Sequence, residues 1–82
     1  LKQSPLKPLH SQLVELKLNE FRRLSTDQLI ESLNPSQPGS LKTRLDGTVL
    51  DGHHRLEVLR ERGVEVDDLP RVIEYRNLEE EQ

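Results

Sequence analysis

Cysteine is absent from this 82-residue chain, which excludes disulfides, a thiol nucleophile and thiolate metal sites. Tryptophan, methionine and alanine are absent too, and Phe21 and Tyr75 are the only aromatic residues. Two aromatics are too few for the stacking platform of a single-strand nucleic-acid binder. No apolar run approaches the ~20 residues of a membrane-spanning helix, and no signal-peptide pattern is present. The expected compartment is the cytoplasm. Hydrophobic residues make up 32% of the chain and charged ones 33%, a lean ratio for a globular domain. Sixteen leucines carry most of the apolar content. The length allows one domain with a small core, so modest stability or support from a partner is expected.

A broad basic field is also missing. The net charge of −3 divides unevenly: residues 1–45 hold seven basic residues against four acids, and residues 46–82 hold five against eleven. DNA binding draws on counterion release from basic surface. With no such surface, no helix-turn-helix and no zinc finger, autonomous DNA binding is not expected. A compact pocket for one phosphate chain is compatible with this distribution.

Residues 1–12, with Pro5 and Pro8, read as a flexible N-terminal arm. Val14, Leu16 and Leu18 alternate with Glu15, Lys17 and Asn19, the period of a strand, while Leu13, Leu16, Glu20 and Phe21 also mark one face of a helix; the strand is the expectation. Ser25 and Gln28 form a capping-box pair, and Leu29, Ile30 and Leu33 give the following helix an apolar face that Asn34-Pro35 ends. Residues 35–40 are a loop by composition. Residues 41–45 and 48–51 are predicted to form an antiparallel hairpin. Asp46-Gly47 would be its two-residue type I′ loop, with both positions at positive φ. That register pairs Leu45 with Thr48 and Thr43 with Leu50, and turns Leu41, Leu45 and Leu50 inward. Gly52 breaks the strand, Leu56 and Leu59 start a helical stripe, and Gly63 ends the helix. A last strand is predicted at residues 71–75, and residues 76–82 read as an acidic, frayed tail. The fold class is α/β in the α+β sense, a small mixed sheet with two principal helices. The expected core is Leu29, Ile30, Leu33, Leu45, Leu50, Leu56, Leu59 and Val72.

The chemistry concentrates where strand meets helix, at Asp51, Gly52, His53, His54 and Arg55. A helix start offers unpaired N–H groups and partial positive charge, a seat for an anion such as phosphate. Gly52 lets a backbone turn and lets phosphate approach, or it simply ends a strand. Arg55 can grip phosphate with two parallel hydrogen bonds, or pair with Asp51 or Glu57. His53 and His54 can donate to phosphate oxygens or exchange protons. They diverge by about 100° on a helix, so they do not chelate one metal ion together. Asp51 can hold Mg²⁺, accept a proton or cap the helix.

The run Asp-Gly-His-His-Arg, after a hairpin strand and before a helix that ends in glycine, resembles the ParB/sulfiredoxin superfamily. That family's signature is a glycine, two variable residues and an arginine, matched here by Gly52, His53, His54 and Arg55. The resemblance extends over residues 13–75, taken as the domain proper. It implies a nucleotide site at the motif: CTP in chromosome-partition proteins, ATP in sulfiredoxins, ADP or ATP in free-serine kinases. His53 stands where sulfiredoxins carry their catalytic cysteine, which excludes sulfinic-acid reduction. Only Gly52 and Arg55 match the Gly-Glu-Arg-Arg of the partition proteins. The DNA-binding and dimerisation regions that follow there have no counterpart in this sequence. The whole run Asp51 to Arg55 is similar to the serine kinases, and Glu20 falls near the glutamate those enzymes use upstream. The expectation is therefore a nucleotide- or phosphate-binding ParB-like domain, a module of a larger DNA-associated or regulatory system. Two alternatives stand beside it: a Mg²⁺-dependent phosphotransferase with Asp51 and Glu20 as catalytic acids, and a ligand-free interaction domain that pairs with itself or another protein.

Overall fold

A computed structural model describes residues 3–8 and 13–75. The predicted tail at 76–82, and residues 1–2 and 9–12 of the predicted arm, lie outside the described residues. In chain order the elements are α1 (Glu15–Arg22), α2 (Thr26–Ser32), β1 (Lys42–Thr43), β2 (Val49–Asp51), α3 (His53–Glu61), a 3-10 turn (Val66–Asp68) and β3 (Val72–Ile73). The sheet is mixed, in the order β2-β1-β3, with β1 antiparallel to β2 and parallel to β3. A small α+β fold is what the sequence predicts. Among the described residues there are three α-helices, where the sequence predicts two principal ones.

The extra helix replaces the strand expected at 14–18. Alternation there is real, but a strand needs a neighbour for its backbone groups, and none of the described strands pairs with this segment. A helix instead sets Leu18 and Phe21 on one face towards the core, leaving Leu16 77% exposed. Glu15 in its first turn and Arg22 in its last complement the helix dipole. Helix α2 opens as predicted, with Ser25 Oγ accepting from Gln28 N–H and the Gln28 amide oxygen accepting from Ser25 N–H.

The hairpin forms, but through a longer loop. Gly47 N–H donates to Arg44 O at 3.0 Å and Arg44 N–H to Thr48 O at 2.8 Å, so Leu45, Asp46 and Gly47 all lie in the loop. Only Gly47 of the three has positive φ, +93°, the glycine-bulge form of a three-residue hairpin. Asp46 holds the turn by accepting from Thr48 N–H and Oγ, bonds that pull its carboxyl below the usual range. The shift by one residue exchanges the faces: Thr43 now opposes Val49, Val49 is buried, and Leu45 is 59% exposed. Leu45 is therefore not a core residue. Ile30, Leu50 and Val72 are partly buried.

The core is Leu6, Leu18, Leu29, Leu33, Leu41, Val49, Leu56, Val58, Leu59 and Val66. Leu6 comes from the predicted arm; residues 3–8 lie against the hairpin, with Lys7 bridged to Thr48. Helix α3 ends in a Schellman motif: Val64 N–H donates to Leu59 O and Gly63 N–H, at φ +81°, to Arg60 O. Two arginines of this segment hold both ends of α2. Arg62 donates to Thr26 Oγ1 and to the carbonyls of Arg22 and Leu24, and Arg55 donates to Ser32 O and Oγ. Arg22 closes the joint with two bonds to Glu61, at 3.0 and 2.6 Å.

Candidate functional site at the β2–α3 junction

Strand β2 delivers Asp51, Gly52 turns the chain, and α3 begins at His53. Gly52 is the N-cap residue at φ +109°, a left-handed conformation that glycine adopts without penalty. A Cβ on it would meet Leu33 Cδ2 at 3.1 Å and Leu41 Cδ1 at 3.6 Å. The space that the missing side chain clears thus faces the core, so conformation and packing require this glycine before any ligand does. No side chain caps the helix, and its first turn carries no acid. Asp51 sits one residue before the cap, 54% exposed, between Lys42 Nζ at 3.7 Å and Arg55 Nη2 at 3.9 Å.

Arg55 turns inward. Its side chain is 12% exposed, and Nη1 donates to Ser32 O at 3.2 Å and Ser32 Oγ at 3.1 Å. Burial lowers its pKa and the Asp51 carboxylate works against that shift. Glu57 pairs with Arg60 instead, at 3.8 Å. Half of the fork is therefore spent on α2, and Nη2 faces Asp51 and Gly52.

The two histidines part company as their spacing predicts. His54 Nε2 accepts the Val14 N–H at 3.0 Å, so it caps the start of α1 from outside that helix. His53 also lines an adjoining hollow of about 260 Å³ with Pro8, Leu13, Val49, Leu56, Glu57 and Arg60.

At the junction itself a hollow of about 130 Å³ is lined by Asp51, Gly52, His53, His54 and Arg55, with Lys17 and Phe21 from α1. All five motif residues meet there. Glu20 does not: it is exposed on α1 and lines no part of the hollow. Lys17 is the functional candidate that the sequence reading missed, because a strand would have pointed it elsewhere. Read as a helix, Lys17 and Phe21 share a face four residues apart, which was the available signal. The hollow opens to solvent, and its volume is enough for one phosphate group. Among the described residues no group of three or more His, Asp or Glu is placed to hold a metal ion. Nor, among them, is any helix long and apolar enough to cross a membrane.

Comparisons with protein-family models, with curated proteins and with solved structures give no match.

Proposed function

We propose that this is a ParB/sulfiredoxin-like phosphate-binding domain, which seats one phosphate of a nucleotide at the start of α3 and serves as a module of a larger DNA-associated or regulatory system. The observation that carries the reading is the convergence of Lys17 and Arg55, from two different helices, on a helix start that no side chain caps. Backbone dipole and two cations together favour a multiply charged anion over a neutral ligand. Asp51 on the rim opposes it in part, and Mg²⁺ between Asp51 and the phosphate would relieve that repulsion. The cations that line the hollow answer to a phosphate and not to a particular base, so selectivity among ATP, ADP and CTP is expected to be weak. Phosphoryl transfer is the lesser reading, because Glu20 stands apart and leaves Asp51 as the only acid among the described residues that line the hollow.

A thermal-shift panel of ATP, ADP, CTP and inorganic phosphate, with and without Mg²⁺, tests the proposal. A ligand at 100 times its Kd adds about 2.7 kcal/mol, roughly 10 °C or more in a domain of this size. Lys17 is exposed, so Lys17→Ala should leave the ligand-free melting temperature unchanged and weaken binding about tenfold. No shift with any ligand at millimolar concentration would remove the site.

A further inference from the structure

Residues 3–8 are held by the rest of the fold as a peptide is held by a receptor. Lys7 N–H donates to Gly47 O at 2.9 Å and Lys7 O accepts from Val49 N–H at 2.7 Å, the paired bonds of a strand added to a sheet edge. Polar clamps lie to one side: Gln3 Nε2 donates to Asp67 O and Leu69 O, Leu6 N–H to Asp67 Oδ1, and Arg71 Nη1 to Ser4 O. Between them Leu6 enters the core, 9% exposed, beside a hollow of about 360 Å³ that it lines with Val64, Val66 and Asp67. Pro5 and Pro8 have no N–H and favour an extended chain. In residues 5–8 the only backbone donors are therefore Leu6 and Lys7, and both are used. The receiving side is shaped for a backbone: a Cβ on Gly47 would collide with Pro5 O. Charges match as well. Residues 3–8 carry Lys7 and no acid, and they meet Asp46 and Asp67.

We propose that the groove between the free edge of β2 and the 3-10 turn is a peptide-recognition site that accepts residues 3–8 from a second copy of this chain. The inference stands apart from the phosphate reading. Its partner is specified by what already fills the groove: an extended, proline-flanked segment with one leucine anchor and a neighbouring lysine. Within one molecule the connection through residues 9–12 favours the segment's own groove by effective concentration. At high protein concentration the same contacts form between molecules, each segment lying in the other's groove.

The test uses the full chain carrying Leu6→Ser and a synthetic peptide of residues 1–8. The variant should melt below wild type, and the peptide should raise its melting temperature saturably. The same peptide with Leu6→Ser should not, and wild type, whose groove is filled, should respond far less. Light scattering should find a wild-type dimer whose fraction grows with concentration and which Leu6→Ser lacks. No peptide effect at millimolar concentration, or a variant that melts like wild type, overturns the groove. Peptide binding with wild type monomeric up to millimolar concentration overturns the second copy as partner. Should the variant not fold, hydrogen exchange on wild type decides: the Val49 amide, bonded to Lys7 O, must exchange faster than the Val72 amide, bonded to Leu41 O. Equal protection of the two shows an inseparable segment and overturns the proposal.

Discussion

Arg55→Ala is the perturbation that separates a ligand-binding arginine from one that holds the fold. Removing it strips Ser32 O and Oγ of a donor that lies 3.2 and 3.1 Å away. Ser32 ends α2, so its carbonyl is one of the helix's unpaired acceptors and is part-buried. Hydrogen bonds from a charged donor contribute about 1.5–3 kcal/mol. The contact with half-exposed Asp51 at 3.9 Å adds roughly 0–1 kcal/mol. Against this, the variant no longer bears the cost of burying a cation, the same cost that lowers the arginine's pKa. A net loss of about 1–3 kcal/mol is expected. With a urea slope of about 1 kcal/mol per M for a small domain, the unfolding midpoint should fall by roughly 1–3 M. That is a large share of a total stability on the order of 5 kcal/mol. The assay is urea unfolding followed by circular dichroism, in buffer free of phosphate and nucleotide. Arg55→Met, which keeps the apolar stem, should recover part of the loss, and Arg55→Lys part of the polar contact without the planar fork. An unchanged midpoint for Arg55→Ala would refute the reasoning and return the whole guanidinium to the ligand.

Leu59→Ala should cost about 2–5 kcal/mol and Leu45→Ala no more than about 0.5 kcal/mol, as chemical denaturation would show; equal costs would restore the two-residue hairpin register. Gly47→Ala should cost more than about 1 kcal/mol, through its positive φ and the collision with Pro5 O, and should make residues 3–8 sensitive to protease in the folded protein. Hydrogen bonds from Arg22 hold the Glu61 carboxyl below its ordinary range. A depressed pKa contributes stability that is complete above the unfolded-state value and lost as pH falls through the folded one. Urea midpoints of wild type should therefore drop more steeply between about pH 5 and pH 3 than those of Glu61→Gln, and parallel profiles would count against the pair.

Local signals were legible wherever the chain satisfies itself within a few residues. The Ser25–Gln28 box, the stop at Gly63 and the glycine before α3 each combine side-chain chemistry with a neighbouring backbone group, so sequence suffices to read them. Signals failed where the deciding partner is distant. Alternating Val14, Leu16 and Leu18 look like a strand until His54, forty residues on, caps a helix there. Asp46-Gly47 marks the turn but not its length. The Thr48 bonds to Asp46 and the crossing of residues 4–7 over Gly47 select the three-residue loop. At the site the motif residues do converge, yet no local pattern shows that Arg55 reaches 23 residues back to Ser32, or that Lys17 arrives from α1.

The two arginines that hold α2 also fix how this protein can change length. Arg55 and Arg62 lie seven residues apart, about 10.5 Å along a helix axis, and grip Ser32 and Thr26, six residues or about 9 Å apart, in the opposite order. One residue inserted in α2 turns its end by about 100° and carries Ser32 away from Arg55. An insertion in α3 does the same from the other side. Substitution can be absorbed one residue at a time, but a change of length in either helix demands a matching change in the other. The loop at residues 35–40 packs back onto the Arg55 end of that clasp, where a Cβ on Gly39 would lie 3.2 Å from Arg55 Nη1 and Ser40 is buried, so a change of length there is felt at the same joint.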